Sequence, residues 1–138
     1  MEYKNVFPSS TLVGAPAPGK IMLFQYSAKF AEQLPFYDKN PLCYVVAVEN
    51  NAFFGVNLHY TRPRDRMGTL EFIDSDGDFT KLKGFHKYLK SYVQAPFLDL
   101  STTDREKAIG MGLEQFVRDL GSVEISIPTR SIMKRLNK

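Results

Sequence analysis

The sequence predicts an α+β domain: a small, strongly bent, mostly antiparallel β-barrel with inserted helices and an extended N-terminal arm. Three observations lead there. Apolar runs at 20–26, 41–49 and 52–60 have strand length, and the last two flank Asn50-Asn51, a tight-turn signal. After Pro63 the apolar spacing becomes helical. Eleven Phe and seven Tyr, with no Trp, supply an aromatic core to a chain of 138 residues, the length of one ordinary domain.

Residues 1–19 contain Pro8, Gly14, Pro16, Pro18 and Gly19, which oppose regular structure and mark an arm. Its Tyr3, Val6, Phe7, Leu12 and Val13 are apolar enough to dock on the domain itself or on a neighbour. The barrel domain spans 20–128. It starts with a strand at 20–26 and a polar loop at 27–41 whose Leu34, Phe36 and Tyr37 should tuck onto the core, followed by the 41–60 hairpin. A helical insertion covers about 62–92. A short helix at 64–73 turns Met67, Leu70 and Ile73 to one side, and residues 74–78 break it. A second helix at 79–92 carries an apolar stripe of Leu82, Phe85, Leu89 and Tyr92, with Lys81, Lys83, Lys87 and Lys90 solvating its outer face. Residues 93–100 form a strand that Pro96 confines to an edge or bulge. Thr103 and Glu106 have the spacing of a capping box. The alternating segment 123–127 either closes the barrel or adds to another sheet. A basic tail, 129–138, holds Arg130, Lys134, Arg135 and Lys138. In strand count and loop pattern the whole resembles an SH3-like barrel.

The block Leu34, Pro35, Phe36, Tyr37, Asp38, Pro41 and Leu42, followed by Gly55, Asn57, His59 and Tyr60, resembles a pattern, L-P-Y-Y-D-x-x-P-L then G-x-N-x-H-Y. That pattern belongs to a family of small uncharacterised proteins of contractile-tailed bacteriophages. The resemblance extends to Pro18, Gly19 and Lys20 and to segment 85–92. It implies a phage particle or assembly context and no particular chemistry. It also suggests a short strand at 107–111 followed by a helix at 113–120. Gly110 and Gly112, each costing ~1 kcal/mol inside a helix, favour that division over one long helix. Gly55 and Asn57 are expected to shape the barrel, with Asp38 as a polar partner that the resemblance groups with them.

A catalytic constellation is not found. Cys43 lies in an apolar run and has no cysteine partner. Asp74, Asp76 and Asp78 begin like a calcium loop, but the glycine comes too early and Phe85 stands where a bidentate Glu is required. His59 and His86 lack ligand spacing, and His59 reads as a structural, hydrogen-bonded histidine. The expectation is therefore a protein that is not an enzyme and has no cofactor or metal. No apolar run reaches the ~18 residues of a membrane span, and synthesis in the host cytoplasm is expected.

Two functions fit. The first is a virion structural or assembly protein, such as a baseplate, neck or tail adaptor, whose partners are other phage structural proteins or copies of itself. Its contacts would be Tyr3, Val6, Phe7, Leu12, Val13, Arg130, Lys134 and Arg135. The alternative is a small nucleic-acid-binding module in phage DNA replication, packaging or transcription. There Phe53, Phe54 and Tyr60 would stack bases while Arg62, Arg64 and Arg66 neutralise phosphates, in a chain of formal net charge +3. The second requires those rings to be exposed beside the arginines.

Overall fold

The computed structural model describes residues 3–27 and 40–112. Three helices and six strands alternate as α1 (Tyr3–Val6), β1 (Thr11–Val13), β2 (Ile21–Tyr26), β3 (Leu42–Val48), β4 (Ala52–Asn57), α2 (Pro63–Asp74), β5 (Phe85–Leu89), β6 (Val93–Asp99) and α3 (Thr102–Gly110). The strands form one sheet in the order β1-β6-β2-β3-β4-β5, and every pairing is antiparallel. Short 3-10 turns at Leu58–Tyr60, Phe79–Lys81 and Lys90–Tyr92 link the elements. The molecule is thus α+β and antiparallel. Among the described residues no ladder joins β5 to β1, so the sheet is open.

Open does not mean flat. Phe24 of β2 packs edge-on against Phe53 of β4 and Tyr88 of β5, with ring centroids 5.3 and 5.2 Å apart, and Phe53 meets Phe97 of β6 at 5.7 Å. In a flat sheet, strands three places apart lie about 14 Å apart. Only a strong curl brings those rings together. The concave face also buries Met22, Cys43 and Val45. Gly55 is where this curl needs a missing side chain, because a Cβ there would collide with Cys43 Sγ and the Tyr44 carbonyl. The accompanying bulge lies on the partner strand, where register shifts between Val45 and Ala47.

The opposite face carries the second core, in which Ile21, Leu23, Leu42, Val56 and Leu98 pack against Leu70 and Ile73 of α2 and Ala108 and Ile109 of α3. Phe7 is fully buried there. The N-terminal segment is therefore not an extended arm. It forms one helical turn, then β1, which pairs with β6 at Leu12↔Leu98. A polar lock fixes it: Asp104 accepts from the Ser9 amide at 3.0 Å and the Ser10 hydroxyl at 2.7 Å, and the Ser101 amide donates to Ser10 Oγ at 2.9 Å. Burial alone would raise the Asp104 carboxyl, but the donors from Ser10 and Ser9 outweigh it and hold it below the usual carboxylate range.

Other differences have equally local causes. Residues 79–92 form no α-helix, because Gly84 sits tight against the Asn57 backbone and the following residues pair with β4 along Ala52↔Leu89 to Val56↔Phe85. Residues 107–111 are not a strand, since α3 runs through to Gly110. Its N-cap is Ser101, accepting from the Asp104 amide, in place of the expected Thr103 box. In α2, Met67 is 54% exposed and Arg66 takes the inward position. The β3–β4 turn does use Asn50-Asn51, closed by Glu49 N–H to Ala52 O at 2.8 Å, yet neither Asn takes a positive φ. The 34–38 block, the 113–120 helix, the 123–127 strand and the basic tail lie outside the described residues.

Two outcomes are expected. Phe7→Ala should lower unfolding free energy by about 3–5 kcal/mol in chemical denaturation, as for other fully buried rings. A change of a few tenths would place the segment outside the domain. Because the folded-state pKa of Asp104 is depressed, its stabilising effect is complete above the ordinary aspartate pKa of about 3.9 and is lost as pH falls through the lower folded value. Asp104→Asn should therefore flatten the acid limb of the stability–pH curve while changing its alkaline limb little.

Candidate nucleic-acid interface

β5 is the last strand of the sheet, so one of its edges has no strand partner among the described residues. From Phe79 to Leu98 the sequence has no Asp or Glu, while it carries Lys81, Lys83, His86, Lys87 and Lys90. Lys81, Lys83 and Lys87 are exposed. A strand alternates its side chains, and here the alternation sorts chemistry. His86 and Tyr88 point to the concave side, where His86 meets the Tyr60 ring at 4.9 Å and Tyr88 the Tyr26 ring at 5.0 Å. Phe85 and Lys87 lie on the other side with Phe54, the β4 residue opposite Lys87.

On that side Phe54 stacks almost parallel to Phe85, at 11° and 6.0 Å between centroids, and Phe79 packs on Phe85 at 5.6 Å. Phe85 and Phe79 are anchored against the buried core, whereas Phe54 leans outward and remains half-buried. Lys87 Nζ sits over the Phe54 ring, 5.9 Å from its centroid. The result is a flat, supported aromatic surface on a lysine-bearing edge. Lys81 has Asp78 only at 4.0 Å, both well exposed, an ion pair that holds little in water.

The expected arginine platform does not form. Arg66 is fully buried: its Nε–H is shared by the carbonyls of Leu58 (2.8 Å) and Thr61 (3.0 Å), and its Nη1 donates to Ile109 (2.9 Å) and Met111 (2.7 Å). Burial pulls this guanidinium down to about 10, which leaves it charged at neutral pH. Arg62 is partly exposed and bonded to Asp65 at 2.9 Å, and Arg64 is exposed at the start of α2. Phe53 and Tyr60 are interior.

Of the arm residues, Phe7 is core, Val6 and Val13 pack against the two cores, and Leu12 is 47% exposed. Tyr3 belongs to α1, and its side chain lies outside the description. Asn57 Oδ1 accepts from the His59 amide and shapes the 3-10 turn after β4, and His59 is buried. Phe36, Tyr37, Asp38, Arg130, Lys134 and Arg135 fall outside the described residues. Sequence reasoning passed over Phe85 and the lysines because it placed them on a helix. The signals that reveal them are the carboxylate-free stretch and the alternation of Phe85, Lys87 and Leu89.

Residues 4–83 match the model of a family described as phage T4 terminal DNA protecting protein. The chain belongs to that family. Its match includes Phe54, α2, Lys81 and Lys83, and Phe85 and Lys87 follow just beyond it. No curated protein and no solved structure matches the chain. Membership in this family establishes a phage protein and overturns the expectation of a baseplate, neck or tail adaptor, since the family is described by protection of terminal DNA. Among the described residues, no helix is long and apolar enough to cross a membrane, and no group of three or more His, Cys, Asp or Glu could hold a metal.

Arg66→Lys should cost about 2–4 kcal/mol in thermal or denaturant unfolding, because an ammonium cannot span carbonyls on two sides as the planar fork does. Equal stability of the two proteins would show that the clasp is dispensable.

Proposed function

We propose that this phage protein binds DNA at its ends and shields them, acting by occupancy and without catalysis. The observation that carries the reading is the carboxylate-free, lysine-bearing β5 edge beside the Phe54–Phe85 pair. Lysines on and beside one strand edge follow a phosphate backbone and release its counterions, which supplies affinity without base sequence. The family description supplies the direction toward termini. An end-bound protein of this size covers the last turn of duplex and blocks an exonuclease sterically, a task that needs neither a nucleophile nor a metal. Arg64, exposed at the start of α2, is a further cation of the described surface. The curled sheet is best read as a small SH3-like barrel, supported by the ring contacts joining β2, β4, β5 and β6.

The test is a binding titration of a short blunt-ended duplex at several salt concentrations, alongside digestion of the same duplex by a processive exonuclease. Wild type should bind with a steep salt dependence and delay digestion. Lys83→Gln and Lys87→Gln should each reduce the magnitude of the log–log salt slope by about 0.9 and shorten the delay. Unaltered slopes and an unaltered delay in the double variant would remove β5 from the interface.

A further inference from the structure

We infer that the Phe54 ring is the surface on which the terminal base pair of a duplex stacks, so that the site selects DNA ends over DNA interiors. The inference rests on the DNA-end reading above and adds the element that recognises an end. Inside a duplex every base pair is covered on both faces by its neighbours. The last pair alone presents an uncovered face. Phosphate contacts are the same along the helix and at its end, so Lys87 of β5 and the neighbouring Lys81 and Lys83 cannot tell one from the other. A flat ring can, because stacking requires a free base face.

Phe54 meets the requirements. It is half-buried while its sequence neighbour Phe53 is fully buried on the other side of the sheet. Phe85 lies nearly parallel to it and is itself held by Phe79, which fixes the plane of the ring before any ligand arrives. Phe85 is half-buried and packed against the core. Lys87 can move aside: its ammonium lies 5.9 Å from the Phe54 centroid, at the outer limit of a cation–π contact, on an exposed side chain. When a base pair takes the ring, Lys87 transfers from the aromatic face to the adjoining phosphate. Lys87 thus serves as the cap of the empty site and as a phosphate ligand of the filled one.

The experiment compares a short blunt-ended duplex with a covalently closed minicircle of the same sequence, using wild type, Phe54→Leu and Phe54→Trp. Leucine keeps apolar packing on Phe85 without an aromatic face, and a melting curve for each variant confirms the fold. Phe54→Leu is expected to weaken binding to the blunt duplex about tenfold or more and to leave minicircle binding unchanged, while Phe54→Trp retains the preference for ends. A terminal 2-aminopurine should change fluorescence on binding to wild type but not to Phe54→Leu. Equal loss on both DNAs, or no loss on either, overturns the stacking assignment while leaving the lysine interface standing. Single-stranded oligonucleotide bound as tightly as the blunt duplex also overturns it, in favour of unpaired bases. Wild type that binds neither DNA at low salt overturns the DNA-end reading itself.

Discussion

The structure depends on one buried cation. The Arg66 guanidinium joins the turn that follows β4, through the carbonyls of Leu58 and Thr61, to the end of α3, through those of Ile109 and Met111. Helix C-termini leave carbonyls without intrahelical donors, and turns do the same, so two sets of orphan acceptors would face each other in the interior. A planar fork with several N–H groups serves both sets at once and adds favourable charge at the negative end of a helix. Desolvating that charge is costly, as its lowered pKa records, and among the described residues the compensation comes from carbonyl dipoles with no carboxylate partner. Position 66 therefore decides how α2 and α3 seat on the sheet. By fixing the Leu58–Tyr60 turn, it also sets Tyr60 against His86 and so helps place the edge strand β5.

A second constraint acts at the other end of α3. Ser101 caps the helix, leaving the neighbouring Asp104 carboxylate to reach out of the helix to Ser9 and Ser10. Lys107 adds a bond to the Val6 carbonyl at 2.8 Å. One helix thus holds a segment about a hundred positions away in sequence, with Phe7 as the apolar plug between them. The prolines at 8, 16 and 18 do not release this segment; they shape its path around a core it helps to fill. A segment that is irregular in backbone and apolar in side chains is as well suited to covering its own domain as to reaching a neighbour.

These constraints explain what could be read in the sequence. Strand β2 and the β3–β4 hairpin were legible because unbroken apolar runs bounded by turn residues have few other solutions, and α2 because Pro63 starts it. The segment 79–92 was not. Leu82, Phe85, Leu89 and Tyr92 satisfy a helical period, while Phe85, Lys87 and Leu89 against His86 and Tyr88 satisfy a period of two. The competition is settled by pairing with β4, a long-range fact. Gly84 was the local hint, being needed where the Asn57 backbone comes close. Arg66 was illegible for a different reason. Preceded by Arg62 and Arg64, it looked like one of three surface cations, and only the carbonyls that the fold gathers from the turn after β4 and the end of α3 make burial tolerable. The same cause misplaced the stacking candidates, since Phe53, Phe54 and Tyr60 are alike in type and differ only in the direction the fold gives them.

That direction is where fold and function meet. Adjacent strand residues face opposite sides, so Phe53 enters the aromatic core and Phe54 leaves it. A slip of one residue in the β3–β4 register would exchange them, and a slip of one residue between β4 and β5 would turn the Lys87 position inward. Register is held by features unrelated to DNA: the close approach of Gly55 to Cys43, the Asn57–Gly84 contact with its N–H to carbonyl bond of 2.8 Å, and the buried ring cluster around Phe24. The interior therefore fixes the composition of the outer face. A ring supported from behind and exposed lysines beside it is the division of labour that the proposed end-binding surface requires, because the base face is rigid and flat while the phosphates beside it are not. The curl of the sheet supplies the rigid part, and the edge of β5 supplies the exposed one.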